Sequence, residues 1–297
     1  MLHHGGRLKA AAAQYEIPLK AWLDLSTGIN LSGYPVPTVP NEYWLRLPED
    51  EDNLEAAACA YYGAQQLLPV AGSQAAIQAL PYLRKHSRVG VLSPGYAEHA
   101  AAWQSAGHDV KLLIADEIDN ELAQLDILVL IHPCNPSGER FSRDKLLHWH
   151  THLAKRGGWL VVDEAFMDVT PEDSICALAH RPGLVAMRSL GKFFGLAGAR
   201  VGFVAAEPQL LKSLRDSLGP WTINAPARWI ATRALQDTAW QTSTRARLLH
   251  DETRMQKLLT ESGLKPTGGC ALFQWHCIDC AVDLPGVGKR GDFYPAF

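Results

Sequence analysis

Short apolar runs of strand length, separated by helical stretches, constrain this chain more than any other feature. Residues 126–131 (DILVLI) are nearly all apolar and largely β-branched, and residues 159–162 (WLVV) repeat the type. Residues 68–71, 89–92, 110–114, 184–187 and 201–205 read the same way. Continuous rather than alternating hydrophobicity marks a strand covered on both faces. The segments between have helical character: 73–85, 97–106 (closed by Gly107) and 142–155. Ahead of them lies 54–62, with Asn53 as its cap and Gly63 as its stop. Strands joined through helices imply an α/β chain with a mainly parallel sheet between two helical layers. From Gln209 to about Ser262 the chain reads as helix. A strand pair is expected at 264–267 and 271–275. Pro35, Pro37, Pro40 and Pro48, with Gly28 and Gly33, break the first fifty residues. The expected organisation is an N-terminal arm (1–50), a large α/β domain (51–220) and a small, incomplete α+β domain (221–297).

Composition narrows the function classes. The 297 residues are 47% hydrophobic and 20% charged, a globular balance. The net charge of −3 gives no footprint for nucleic acid. No run approaches the roughly 18 apolar residues of a membrane span. Six cysteines are too sparse for a disulfide scaffold. Residues 1–7 lack a charged-then-apolar leader, so the cytoplasm is the expected location.

In open parallel sheets, ligands collect at the carboxyl ends of the strands. Those ends read Gly72-Ser73-Gln74, Pro94-Gly95-Tyr96, Asn135-Pro136-Ser137-Gly138, Asp163-Glu164 and Ser189-Leu190-Gly191-Lys192. Each is small, polar or ionisable after an apolar run, and five together suggest one pocket. Gly72-Ser73-Gln74 opens a helix whose free N–H groups can hold a phosphate. Ser189 and Arg200 can add a hydroxyl and a permanent charge. Asp163 sits where burial demands a cationic partner, and Lys192 has no acidic residue nearby in sequence. A lysine so placed can form a Schiff base with a carbonyl cofactor. Phosphate cradle, lysine and buried Asp match pyridoxal 5'-phosphate, whose ring nitrogen needs an acidic partner.

These motifs resemble those of fold-type-I pyridoxal-phosphate enzymes: Asn135–Gly138, Asp163-Glu164-Ala165-Phe166, and Ser189 through Lys192 to Gly198-Ala199-Arg200. His4-Gly5-Gly6, residues 23–30 (LDLSTGIN) and residues 220–224 (PWTIN) bring the resemblance closer to the threonine-phosphate decarboxylases of cobalamin synthesis. That family is similar to the histidinol-phosphate aminotransferases, and the resemblance spans about residues 3–275. It implies an aminotransferase-like fold and decarboxylation of L-threonine O-3-phosphate. Lys192 is then the Schiff-base lysine, Asp163 the partner of the ring nitrogen, Asn135 that of the phenolic oxygen, and Tyr96 the ring stacker. Gly72, Ser73, Gln74, Ser189 and Arg200 hold the cofactor phosphate, and His4 and Asn30 lie near substrate. It also implies a homodimer with shared sites. An aminotransferase is the alternative activity. A catalytically inactive protein that binds or dimerises through this fold is the rival of another class.

Two residues depart from that pattern. Leu47 replaces a tyrosine that reaches the neighbour's cofactor phosphate, and Phe166 replaces a tyrosine of the aminotransferases, which tilts the expectation to decarboxylation. The resemblance ends near Trp275, and Arg290 is the only arginine after Arg254. Weak turnover, an open small domain and exposed apolar surface near 272–275 are therefore expected. Two metal-like patterns have bland readings. His148, His150 and His152 read as a solvated helix face, and Cys270, His276, Cys277 and Cys280 as a chance cluster rather than a zinc site.

Overall fold

The computed structural model describes residues 4–276. Seven strands form one sheet: β1 (Leu68–Val70), β2 (Arg88–Leu92), β3 (Asp109–Leu113), β4 (Ile127–Ile131), β5 (Trp159–Asp163), β6 (Leu184–Ser189) and β7 (Gly202–Ala205). Their order is β1-β7-β6-β5-β4-β2-β3. β7 pairs antiparallel with both β1 and β6, and every other pairing is parallel.

The continuous apolar runs are explained by two cores, one on each face. Leu128 and Leu130 of β4, Leu160 and Val162 of β5, and Leu184 and Ala186 of β6 face one core. Ile127, Val129, Val161, Val185 and Met187 face the other. Side chains alternate as in any strand, yet both sets are excluded from water. Burying each such side chain stabilises by about 1.5–3 kcal/mol before the ordering entropy is subtracted. The edge strand β3 is largely exposed, with only Leu113 buried.

The helix Leu54–Tyr62 ends at Gly63, whose φ of 66° is left-handed. Its start differs from expectation: Asn53 is itself left-handed, and Asp52 Oδ1 accepts from the Leu54 N–H instead. The stretch expected as one helix over 73–85 is the helix Ser73–Ala79 continued as a 3-10 turn over Leu80–Leu83, because Pro81 cannot donate. The chain then runs through Glu98–Ser105 and Arg143–Ala154, and after β7 through Pro208–Leu218, Ala225–Gln236 and Thr238–Glu261. Ala227, Ala231, Ala234 and Leu235 join the same core as Leu54, Ala57 and Ala58. No helix among the described residues is long and apolar enough to cross a membrane.

The terminal strand pair is β8 (Gly268–Cys270) and β9 (Phe273–Trp275), so its first strand begins four residues later than expected. Gly268 and Gly269, which fall between the two expected strands, belong to the first of them because backbone lies on backbone there. A Cβ at Gly268 would overlap the Ser137 carbonyl oxygen, and one at Gly138 would overlap Gly269. The hairpin thus rests on the Asn135–Gly138 turn.

Candidate active site

Four strands and one reversal build the site. β1 ends two residues before Gly72, β4 just before His132, β5 at Asp163 and β6 at Ser189. Because β7 runs the other way, its start comes to the same edge and carries Arg200 with it. The register sets Gly202 opposite both Ser189 and Val70. A Cβ on Gly202 would lie 2.5 Å from the Ser73 backbone nitrogen, so only glycine admits the Gly72–Ser73 turn. Gly72 has φ 73° and lies beneath the Arg200 guanidinium, where a Cβ would stand 2.5 Å from a terminal nitrogen. Ser189 Oγ accepts from the Gly191 N–H at 3.1 Å, which leaves its own proton free to donate. Gly72, Ser73, Ser189 and Arg200 are thereby brought together.

Lys192 follows on the loop after β6. Its half-buried ammonium makes no hydrogen bond or ion pair among the described residues and sits 5.1 Å from the centre of the Phe166 ring. Burial pushes its pKa below the ordinary lysine value, against the pull of Asp163 and with the help of Arg200. Asp163 is buried, and among the described residues a histidine and a backbone N–H hold its carboxylate. Oδ2 lies 3.0 Å from His99 Nε2, and Oδ1 accepts from the Ala165 N–H at 3.0 Å. His99 is 1% exposed and absent from the sequence reading, although it lies one helical turn after Tyr96.

Tyr96 donates its hydroxyl to Gln74 Oε1 at 3.1 Å, and its ring meets His99 edge-on at 6.2 Å. Burial, with Glu98 and Asp163, pushes its hydroxyl pKa up to about 12. His4 approaches the same tyrosine at 5.8 Å between ring centres, and its Nε2 lies 2.6 Å from Glu98 Oε1. The Asn135 amide makes no hydrogen bond among the described residues. Its turn is fastened by the Gly138 N–H on the Cys134 carbonyl at 2.7 Å.

Asn30 behaves differently from a residue waiting for ligand. Its N–H donates to the Lys192 carbonyl (3.1 Å) and its Nδ2 to the Phe193 carbonyl (2.8 Å). Its Oδ1 accepts from Ser32 and from Arg247. The arm thus straps down the lysine loop, and Gly33 lies against Gly195 where a Cβ would meet the Phe194 carbonyl at 2.8 Å. Phe166 packs edge-on against Phe273, 5.0 Å between centres. Leu272 and Phe273 are half-buried against Ala165, Phe166 and Cys270, so the apolar surface expected at 272–275 is largely covered.

Beneath the floor lies a network that the sequence reading missed. Arg188 reaches Glu164 Oε2 at 2.8 Å and Asp168 Oδ1 at 2.9 Å, all three side chains 2% exposed or less. Of the histidine trio, His148 and His152 are exposed neighbours. His150 is buried with its Nε2 2.9 Å from the Pro182 carbonyl, which corrects the expected solvated face. No group of three metal-ligating side chains forms among the described residues. Cys277, Cys280 and Arg290 lie outside them. Cys270 is a buried thiol pushed up to about 12 by burial. A cleft of about 450 Å³ lined by Glu55, Arg215, Trp221 and Arg228 shares no residue with this constellation.

An amine and an amide without partners among the described residues, a held carboxylate and a guanidinium over a glycine turn suit pyridoxal phosphate group by group. Residues 47–282 match the family model for aminotransferase class I and II. The chain belongs to that family. Among class I and II aminotransferase relatives, it is 56% identical over 293 residues to a Pseudomonas aeruginosa protein described as threonine-phosphate decarboxylase, covering 98% of this chain and 88% of that one. The fold is shared with L-threonine-O-3-phosphate decarboxylase from Porphyromonas gingivalis: TM-score 0.69, 21% identity, 82% of each chain. It is shared too with histidinol-phosphate aminotransferase from Sinorhizobium meliloti, solved in complex with pyridoxal-5'-phosphate: TM-score 0.68, 20% identity, 81% of this chain and 72% of that one.

Proposed function

We propose that this chain catalyses decarboxylation of L-threonine O-3-phosphate to (R)-1-aminopropan-2-yl phosphate in cobalamin biosynthesis, with pyridoxal 5'-phosphate as cofactor. The observation that carries the reading is 56% identity over 98% of the chain to a protein described as threonine-phosphate decarboxylase. When bound, the cofactor supplies an electron sink for the pair left on Cα as CO₂ departs.

The chain's own residues do the rest. Lys192 supplies the amine, which burial helps to hold uncharged, and later returns a proton to Cα as general acid. Asp163, oriented by His99 and the Ala165 N–H, holds the proton on the ring nitrogen. Asn135 donates to the phenolic oxygen and Tyr96 covers the ring. Gly72, Ser73, Ser189 and Arg200 take the phosphate, and Gln74 joins them through its backbone N–H, its side chain being held between Glu98 and Tyr96. His4 serves the substrate, while Asn30 serves it by positioning the Lys192 loop. Phe166 leaves no hydroxyl beside the lysine, in keeping with decarboxylation rather than transamination. We take the working form to be a cytoplasmic homodimer.

The deciding experiment incubates purified protein with pyridoxal phosphate and threonine phosphate, and follows CO₂ and keto acid separately. One CO₂ per amine product, with no keto acid, is expected. Keto acid formed stoichiometrically with an added acceptor, and no CO₂, would replace this reading with an aminotransferase.

A further inference from the structure

Glu98, which begins the helix Glu98–Ser105, has no catalytic or binding role in the account above, yet three side chains from two separate segments, the N-terminal arm and the helix Ser73–Ala79, converge on its carboxylate. Its side chain is 16% exposed. One oxygen meets His4 Nε2 at 2.6 Å. The other accepts from Gln74 Nε2 at 2.9 Å and Gln78 Nε2 at 3.3 Å. No lysine or arginine among the described residues pairs with it. We propose that Glu98 is a positioning residue that latches the N-terminal arm to the tyrosine of the cofactor pocket. It holds His4 and fixes the direction of the hydrogen bonds through Gln74 to Tyr96.

The direction follows from donor chemistry. An ionised carboxylate can only accept, so Gln74 must turn its NH₂ toward Glu98 and its carbonyl toward Tyr96. The Tyr96 hydroxyl must then donate to Gln74, at 3.1 Å, and its proton is withheld from the pocket. An amide in place of Glu98 would remove that constraint, since Gln74 could then face either way.

The arm is gripped at a second point. The Gly6 N–H donates to Ser26 Oγ at 2.8 Å, and a Cβ at Gly5 would overlap the Ser26 carbonyl. Asp24 orients Ser26 by accepting from its hydroxyl (2.6 Å) and its N–H (2.9 Å). Release of His4 therefore frees the tip of the arm without unfolding the domain, and the exposed Arg7 reports it.

The proposal rests on the functional reading only in taking Tyr96 to cover the cofactor ring, and two measurements separate the two. In cofactor-free protein, tryptic cleavage after Arg7 is timed by mass spectrometry. Glu98→Ala and His4→Ala should each speed it about tenfold, the cost of one charge-assisted hydrogen bond. The double variant should be no faster than either. In the second measurement, fluorescence titration gives the Kd for pyridoxal phosphate. Glu98→Ala should raise it about five- to tenfold, but leave it unchanged in a Tyr96→Phe background where no hydroxyl needs orienting. The isosteric Glu98→Gln keeps the fold if the alanine variant does not accumulate, and should show the same pattern at about two- to fivefold. Multiplicative effects of His4→Ala and Glu98→Ala on cleavage, or an undiminished Glu98 effect in Tyr96→Phe, would overturn the latch.

Discussion

Replacing Arg188 with Met tests whether the ion network under β5 and β6 holds up the site above it. Arg188 joins Glu164 and Asp168 with all three side chains shut from water, and its guanidinium lies 4.5 Å over the Tyr62 ring. Methionine fills much of the volume but leaves two carboxylates behind. Glu164 keeps two donors, Ser174 Oγ at 2.5 Å and the Ile175 N–H at 2.8 Å. Asp168 loses its ion pair, and its Oδ2 accepts no hydrogen bond among the described residues. Breaking a buried pair from one side costs about 3–5 kcal/mol. At about 2–4 °C per kcal/mol for large domains, Tm should fall by roughly 6–20 °C.

The pH dependence gives the sharper test. Burial raises the Asp168 pKa above its usual carboxylate value even with Arg188 present. A carboxyl whose pKa is raised by folding takes up a proton when the chain folds. Its stability contribution is therefore lost as pH rises through the interval between the unfolded and folded values. Without the arginine that interval widens upward, so the Met variant's deficit should shrink between about pH 8 and about pH 5. Thermal melts of both proteins across that range measure it. A deficit below about 1 kcal/mol, or one that grows on acidification, would refute the reasoning.

Lys192→Ala should abolish the visible absorbance that added pyridoxal phosphate gives the protein; a retained band means another amine binds it. His99→Leu removes the hydrogen bond to Asp163, worth about 1.5–3 kcal/mol, so kcat should fall roughly 10- to 150-fold with little change in KM. An unchanged kcat would show that the Ala165 N–H orients Asp163 alone. Gly202→Ala should weaken cofactor binding by about tenfold or more, because its Cβ drives the Ser73 turn out of place. Wild-type affinity would mean the turn has room to shift. In cofactor-free protein, Lys192→Met should raise Tm at neutral pH, because the depressed lysine pKa opposes folding. The gain should fade as pH approaches the unfolded value of about 10.5, and a gain constant with pH would contradict a buried ammonium.

What the sequence revealed follows from how the information is written in it. Residues 127–131 and 159–162 announce strands because two-sided burial removes every polar residue. Asp163 and Lys192 stand out because each follows such a run. His99, Glu98 and Gly202 carry no such mark: each is a single residue whose importance lies in a partner 64, 94 or about 130 positions away. Gly202 could have been suspected from the need for something small where β1, β6 and β7 meet, but only once their order was known. Gly268 and Gly269 fall between the strands expected at 264–267 and 271–275 because glycine carries no strand signal of its own, although close backbone approach also selects it. Asn53 has the composition of a cap but not the backbone of one: its φ of 69° is left-handed, and Asp52 serves the Leu54 N–H from one position earlier.

The strap from Asn30 to the lysine loop also dictates when the site can exist during synthesis. Asn30 and its acceptor Phe193 are 163 residues apart, and the Arg247 that holds its other end comes 217 residues later. At about 5–20 residues per second, Asn30 leaves the ribosome roughly 10–40 s before Arg247 is made. Until the Lys192 loop emerges the arm has no surface to close on, and until the helix Thr238–Glu261 follows, Asn30 Oδ1 lacks Arg247. The strap cannot guide the sheet's formation; it seals a sheet already built. Slow translation between β6 and the helix Thr238–Glu261 would lengthen that unprotected window and lower the yield of active protein without altering the stability of any molecule that finishes.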